Sequence, residues 1–580
     1  MVQLAFARLK ELARLIKRPR IAGLLGGPTP GIVVVTLFCL GLLYASFRAS
    51  DRYYETHLVI ADSSYSLAGP SLLVSGKNDF SLRRVLNHPA PLPSSDSGTT
   101  VYVLHTVAAW YLRHFLPLRP SMAVVLNGIW FWAMGLCVYA LFWSRLRKWA
   151  LAAVVTVGYL VANPYLPTIT YGITSLDPNL VGFMLGTSAL CCTMLSNHFQ
   201  RLIPCLLVGA FLGLLCLGRV YTLGVVLPAM LPYVVSCFWR RSKREMLLSV
   251  QGGFLALCVA FAISGWFLRA HWQTVLAYPT QYADAGVLSH MPFVNGIWEW
   301  LRFPKAVLAE NLTFLCALSW PVALSFVAQQ RSLKDFNWRA LWVALVPLLI
   351  LAKMGTTFRP YGAVAMLGVF LVLLFPFASP DPAPIYRGRF AAALTMGCSF
   401  SCWAFFGSLS TTHEAGNDNK SKVISALETM RLHAAAHKRK RVTVGLVHWG
   451  KLHDAALVNA LVSDLKLRVA TPDFQPKRRA SNPLIVDPLV TDPWAWDPKV
   501  AHAAVITPAV WANRIIHEAD YVFVLAGDRR QDRREGRWPP WVEASDLIRE
   551  SGVFERLTPP FHVKVDGPVE LLVRRQSRSP

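Results

Sequence analysis

The chain has no cysteine in either of its two long polar stretches, residues 50–120 and 411–580; all 11 cysteines, from Cys39 to Cys402, lie inside apolar segments. A disulfide framework for the polar parts is thereby excluded, no cysteine metal cluster is available to them, and the thiols read as small buried hydrophobes. Acidic residues are also scarce, 33 against 58 Lys and Arg, for a formal net charge of +25. No Asp-x-Asp dyad of the kind that holds a nucleotide-sugar metal is present, and we find no internal repeat. Beyond about residue 410 no apolar run approaches the roughly 18 residues a membrane span needs.

What remains is strongly apolar: 580 residues, 54% hydrophobic. This predicts an α-helical polytopic membrane protein over residues 31–410, followed by a polar domain over 411–580. Residues 2–18 put Leu, Phe and Ile at helical spacing against Arg8, Lys10, Arg14, Lys17 and Arg18. Residues 1–30 therefore read as a cytoplasmic amphipathic helix lying on an anionic leaflet rather than a cleaved signal. Eleven apolar runs qualify as spans, near 31–49, 121–143, 149–168, 179–195, 201–218, 222–239, 247–268, 307–327, 339–352, 361–378 and 390–409.

A twelfth run, 101–117, carries His105, Arg113 and His114 and reads as an interfacial helix. If it does not cross, every basic cluster falls on one side: the N-terminus, Arg145–Lys148, Arg201, Arg240–Arg244, Arg331–Arg339, and Arg387 with Arg389. The excess of positive charge then marks the cytoplasmic side rather than a nucleic-acid partner. The expected location is a bacterial-type inner membrane with the N-terminus cytoplasmic. The outer side receives loop 50–120, the turns at 168–179, 219–221 and 353–362, loop 269–306, and residues 411–580.

Those outer turns carry the candidate chemistry. Asp51, Asp62 and Asp177 supply carboxylates, and Arg219, Lys353 and Arg359 supply cations. A carboxylate can take a proton from an acceptor hydroxyl, while Lys and Arg hold a phosphate leaving group. Structural roles compete at several of these positions. Asp177 precedes Pro178 and suits a helix N-cap equally well, Arg219 at a span end can snorkel to the interface, and His88, with Arg83 and Arg84, fits a solvated face. Lys353 and Arg359 stand on the side opposite the basic clusters, against the usual bias, which favours function.

The order of these features resembles the GT-C superfamily of polyprenyl-phosphate-sugar-dependent glycosyltransferases, which includes protein mannosyltransferase-like, aminoarabinose transferase-like and arabinofuranosyltransferase-like enzymes. Five segments carry the likeness: ADSSYSLAGPSLLVSGKNDF in the first outer loop, SGTTVYVLHTVAAWYLRHF at the juxtamembrane helix, SLDPNLVGFMLGTSAL, LGRVYTLGVVLPAML, and KMGTTFRPYGAVAML in the late turn. The chain departs from the pattern at Asp62-Ser63, where an acidic pair is often found, and at Gly98-Thr99, where Pro-Pro is often found.

The resemblance implies a polyprenyl-phosphate-linked sugar donor and a lipid, glycan or protein acceptor. It makes Asp62 the general base or the acid that positions the acceptor, with Asp51 its rival. Asp177, Arg219, Lys353, Arg359, Tyr361 and His88 would contact substrate. No cofactor is implied with certainty, and a divalent metal is optional. The competing classes are a flippase of lipid-linked glycans, which predicts inverted repeats and discontinuous helices, and a non-catalytic membrane scaffold.

Residues 411–580 alternate β-rich runs (441–447, 503–506, 521–526, 570–574) with helix-like stretches (453–464, 510–518, 541–550), which predicts a small extracytoplasmic α/β domain. The Pro-rich segment 472–500 reads as irregular cover. Within the domain GLVHWGK (445–451) matches a phosphate loop only in part, since Leu452 stands where a hydroxyl residue is needed. His433 and His437 have ligand spacing on a helix but lack a third ligand.

Overall fold

The computed structural model describes residues 27–56, 104, 122–161, 178–238, 242–284, 338–353, 362–374, scattered positions from 392 to 403, 420–447, 467–469, 484–490, 507–525, 540–563 and 567–575. The expected surface helix at 2–18, nearly all of the 101–117 run and the span at 307–327 lie outside these residues, as do helix 453–464 and strand 503–506.

Among the described residues nine apolar helices form the first part: α1 (Thr29–Thr56), α2 (Met122–Leu146), α3 (Trp149–Val161), α4 (Pro178–Leu195), α5 (Leu202–Arg219), α6 (Leu223–Val235), α7 (Lys243–Asp284), α8 (Trp338–Lys353) and α9 (Gly362–Leu373). Among the described residues four stretches are long and apolar enough to cross a bilayer: Thr29–Arg52, Val124–Leu146, Leu202–Arg219 and Lys243–Arg269. The chain is a membrane protein by that measure.

Contacts at the glycines fix the helix directions. A side chain at Gly31 of α1 would collide with Tyr139 of α2, and one at Gly128 of α2 would press on Leu43 of α1. The Tyr139 hydroxyl donates to the Pro28 carbonyl at 2.8 Å. α1 and α2 are therefore antiparallel, and residues 57–121 begin and end at the same end of the bundle. Gly182 and Gly186 of α4 face Arg219 and Leu215 of α5, and also Thr222 and Val226. α5 and α6 thus form a hairpin around α4, closed by the 3-10 turn Val220–Thr222.

α5 and α7 run parallel at very close range. Gly209 and Gly213 of α5, spaced by four, lie on the backbone carbonyls of Ala256 and Ala260 of α7, themselves spaced by four. Small residues at that spacing let two backbones approach in lipid, where dispersion and not water exclusion holds helices together. α7 opens with a reciprocal capping box, in which the Ser242 amide donates to the Glu245 carboxylate (3.1 Å) and the Glu245 amide to the Ser242 hydroxyl (3.3 Å).

Two sequence expectations need correction here. α7 continues to Asp284, so about half of the expected outer loop 269–306 is helix; its last 15 residues, 270–284, add about 22 Å. Hydropathy finds spans, not helices, and HWQTVLAYPTQYAD is too polar for the first while compatible with the second. Likewise α1 runs to Thr56, which places Asp51 on a helix and not in the loop.

Beyond the bundle, α10 (Lys420–Ala436), α11 (Pro508–Glu518) and α12 (Pro540–Glu550) pack on a seven-stranded sheet. Its strands are β1 (Arg441–Leu446), β2 (Leu467–Val469), β3 (Leu484–Val490), β4 (Tyr521–Leu525), β5 (Phe554–Arg556), β6 (Phe561–Val563) and β7 (Gly567–Arg574). The order is β2-β3-β1-β4-β7-β5, with β6 also on β7; the first four are mutually parallel and β7 is antiparallel. Val423, Leu427 and Met430 of α10 bury one face, while Trp511 and Ile515 of α11 and Ile548 of α12 bury the other. Thr507 caps α11, its hydroxyl accepting from the Val510 amide at 3.3 Å, with Pro508 at the first helical position.

β3 corrects the reading of 472–500 as irregular for residues 484–490; the rest of that segment lies outside the described residues. Its Pro488 argues against an inner strand. The Ile485 amide, however, donates to the Lys440 carbonyl next to β1 (2.9 Å), and amides alternate sides along a strand. The Pro488 nitrogen therefore points away from β1, towards β2, whose pairing has already ended at Val486. Among the described residues no ladder bond is lost.

On β7, Glu570 is 1% exposed, and its carboxylate accepts from Arg556 Nε at 2.8 Å with Arg549 Nε at 3.9 Å. The two guanidinium groups compensate its burial. His433 of α10 lies against β4, its Nδ1 2.9 Å from the Tyr521 hydroxyl, with the His437 ring 4.3 Å away. Burial first, then His437 and Arg439, push its imidazole below the usual value, with Glu555 opposing. Because the folded-state value lies under the unfolded one of about 6.5, this contribution to stability is complete above that pH. It is lost as pH falls through the folded-state value. Thermal unfolding of the full chain at about pH 7.5 and 5.5 is expected to show a drop that His433→Gln reduces, since glutamine keeps a partner for Tyr521 without titrating. An equal drop in the variant contradicts this.

Candidate active site

The helix directions sort the charged residues by end. Arg145 at the end of α2 and Arg339 at the start of α8 both lie within electrostatic reach of the Tyr233 hydroxyl on α6. Arg147 and Lys148 follow α2 directly, while Arg201 precedes α5 and Lys243 opens α7, which runs parallel to α5. The described basic clusters thus gather at one end of the bundle, as the charge pattern predicts.

The candidate site residues attach to the other end. Asp51 lies half-buried near the end of α1. Pro178, which follows Asp177, opens α4, and Arg219 closes α5. Lys353 is the last residue of α8, and Gly362, which follows Tyr361, is the first of α9. A Cβ added at Gly182, in the second turn of α4, would come within 3.0 Å of the Arg219 Cβ. The Arg219 backbone therefore stands close to the helix start that Asp177 precedes. Asp62, His88, Asp177, Arg359 and Tyr361, and the side chain of Lys353, lie outside the described residues. Asp51 and Arg219 share an end but are separated by α2 and α4 in the sequence of packed pairs α1–α2, α2–α4 and α4–α5.

The sequence reading missed a set of hydroxyls near this end. Val35, Cys39, Leu42, Ser46 and Ser50 form one buried stripe along α1, and the stripe changes from apolar to hydroxyl in the turns that lead to Asp51. Ser46 and Ser50 are fully buried, and among the described residues their oxygens have no hydrogen-bond partner. Thr222, at the α5–α6 turn beside Arg219, is 2% exposed and its hydroxyl is likewise unpartnered. Buried hydroxyls are nearly always bonded, so three such groups near the end that carries the site candidates are a polar feature inside an apolar bundle. The signal was available in the i, i+4 spacing of Ser46 and Ser50 on the face that buries Cys39 and Leu42. The starts of α4 and α9 add positive helix-dipole ends at the same level. Among the described residues no group of three His, Cys, Asp or Glu could hold a metal ion.

No protein-family model matches the chain, and no curated protein matches it. Among solved structures it is similar to the arabinofuranosyltransferase AftD from mycobacteria, determined by single-particle cryo-EM. The identity is 13% and the TM-score 0.48, over 92% of this chain and 40% of that one. The chain thus spans about two fifths of that protein's length. A likeness of this size assigns neither an activity nor any residue's role.

Proposed function

We propose that the chain is an integral membrane glycosyltransferase that moves a sugar from a polyprenyl-phosphate donor to an acceptor hydroxyl on the extracytoplasmic face. The observation that carries this reading is the separation of charge: the basic clusters gather at one end of the bundle, and every turn bearing a site candidate attaches to the other. In this reading Asp62 takes the proton as the acceptor oxygen attacks the anomeric carbon. The bond from that carbon to the phosphate oxygen breaks, and polyprenyl phosphate leaves as an anion beside Lys353 and Arg359, with Arg219 near. Asp51 is the second carboxylate, and Asp177, Tyr361 and His88 line the acceptor and donor approaches. Because the leaving group departs already charged, a metal ion is not required by the chemistry, and none is assigned.

Eleven spans and an outer α/β domain complete the proposal. Thr395 and Ser399, from the last apolar run, lie beside Val34 and Trp149, which belong to the basic-end halves of α1 and α3. A crossing that begins there supports an extracytoplasmic position for residues 411–580. The purified full chain in liposomes, given a polyprenyl-phosphate donor labelled in its sugar, tests the proposal. Transfer of label to an acceptor with release of polyprenyl phosphate is expected. Passage of the intact donor across the bilayer without transfer would indicate a flippase instead.

A further inference from the structure

A groove of about 450 Å³ lies on the flank of the bundle, away from the end that carries the site candidates. It is lined by Val34 of α1, by Trp149, Ala150, Ala153, Val154 and Val157 of α3, and by Thr395 and Ser399. Its wall along α3 runs from the first residue of that helix to the ninth, Val157, a depth of about 12 Å. The lining is apolar apart from the two hydroxyls, so in a bilayer the groove offers a slot for a hydrocarbon chain. Trp149 stands at the level where an indole ring favours the headgroup region.

Positive charge adjoins the residue that opens the wall along α3. Arg145, Arg147 and Lys148 immediately precede Trp149, and all three are exposed. Arg147 takes a left-handed backbone conformation, φ 54°, and its guanidinium lies 5.6 Å from the centre of the Trp143 ring. Stacking orders this group and leaves its charge intact. Among the described residues no carboxylate forms an ion pair with any of the three. An apolar slot about 12 Å deep, opening at an aromatic ring beside two adjacent cations, complements a molecule with a hydrocarbon chain below and an anionic phosphate above.

We infer that this groove is a binding site for an anionic phospholipid of the leaflet that adjoins the basic clusters, with one acyl chain between α1 and α3 and its phosphate at Arg147 and Lys148. The site is distinct from the proposed catalytic end and does not depend on the glycosyltransferase reading. It requires only that the helices sit in a bilayer. Each basic side chain near an anionic headgroup contributes about fivefold in affinity, so the pair is expected to give a preference on the order of 25-fold over a zwitterionic lipid with the same chains.

Native mass spectrometry of the full chain, purified from bilayers containing equal phosphatidylglycerol and phosphatidylcholine, reads this directly. The parent is expected to retain phosphatidylglycerol in preference, with one tightly held copy that Arg147→Gln with Lys148→Gln releases from that preference. Both of those positions are exposed, so the variant is expected to fold. Ala150→Phe with Val157→Phe fills the slot and is expected to lose the tightly held copy whatever its headgroup. Equal retention of the two lipids by the parent, or undiminished phosphatidylglycerol on the charge variant, overturns the inference.

Discussion

Asp62→Asn is expected to slow sugar transfer by about 100- to 10,000-fold, the contribution of a positioned general base, while leaving thermal stability and helix content unchanged. The reason lies in position. Asp62 follows the end of α1 by six residues, and that helix ends at the side of the bundle opposite the basic clusters, where the proposed function brings the acceptor hydroxyl. Asparagine keeps the size and one hydrogen bond but cannot accept the proton. The parent's rate is expected to fall at low pH as the carboxylate is protonated, and the variant's residual rate to lose that dependence. Asp51→Asn is the informative comparison. Asp51 is half-buried on α1 and engaged with a neighbour, so its loss is expected to cost less than about tenfold, in keeping with a partly exposed charge. A rate equal to the parent's for Asp62→Asn removes that residue from the mechanism, and a larger loss for Asp51→Asn transfers the role to it.

The second large effect is structural. Gly209→Ala is expected to lower the thermal midpoint sharply, because the added methyl collides with the Ala256 backbone carbonyl of α7 and meets Val259 at 2.8 Å. Overpacking a core costs about 1–3 kcal/mol, and here the obstacle is backbone, which cannot rotate aside. Gly253→Ala is the matched control. Nothing lies within 4 Å of a Cβ there, and alanine in a helix interior is favoured by about 1 kcal/mol over glycine. Its immediate neighbour Gly252 abuts the Phe199 carbonyl, so Gly252→Ala is expected to behave like Gly209→Ala. Thermal unfolding of the three variants in one detergent reads the contrast. Similar midpoints for Gly209→Ala and Gly253→Ala contradict the close α5–α7 packing.

These glycines also show how far the sequence could be read. Apolar runs located α2, α4, α5 and α8 closely, because a bilayer demands uninterrupted hydrophobic length and little else. The same test was blind to what lies beyond the membrane. It stopped α7 at 268 although the helix continues to Asp284, and it placed Asp51 in a loop although α1 carries it. Nor does hydropathy say which glycines touch a neighbour. Gly252 and Gly253 are indistinguishable in sequence and opposite in surroundings.

In the polar domain, β1, β4, α11 and α12 were legible from the alternation of β-rich and helix-like stretches. β3 was not, because a proline in an inner strand is tolerated only where the neighbouring strand has ended, a fact of pairing rather than of local preference. Of the candidate site, the described residues show only that Asp51 and Arg219 lie on helices ending at the side of the bundle opposite the basic clusters. The buried hydroxyls of Ser46, Ser50 and Thr222 were not legible in the sequence, since they gain meaning only when the helix faces that bury them are known.

The central claim is that a carboxylate near the start of the chain and two cations about three hundred residues later share one outer cavity. Cross-linking tests it most directly. Asp62→Cys with Arg359→Cys in the full chain, treated with a short water-soluble bis-maleimide, places a reactive pair on the outer side, while the native thiols sit in apolar segments. The account predicts an intramolecular link between positions 62 and 359, found by mass spectrometry after proteolysis and blocked by a polyprenyl-phosphate donor. Efficient labelling of both cysteines without a link between them would contradict it.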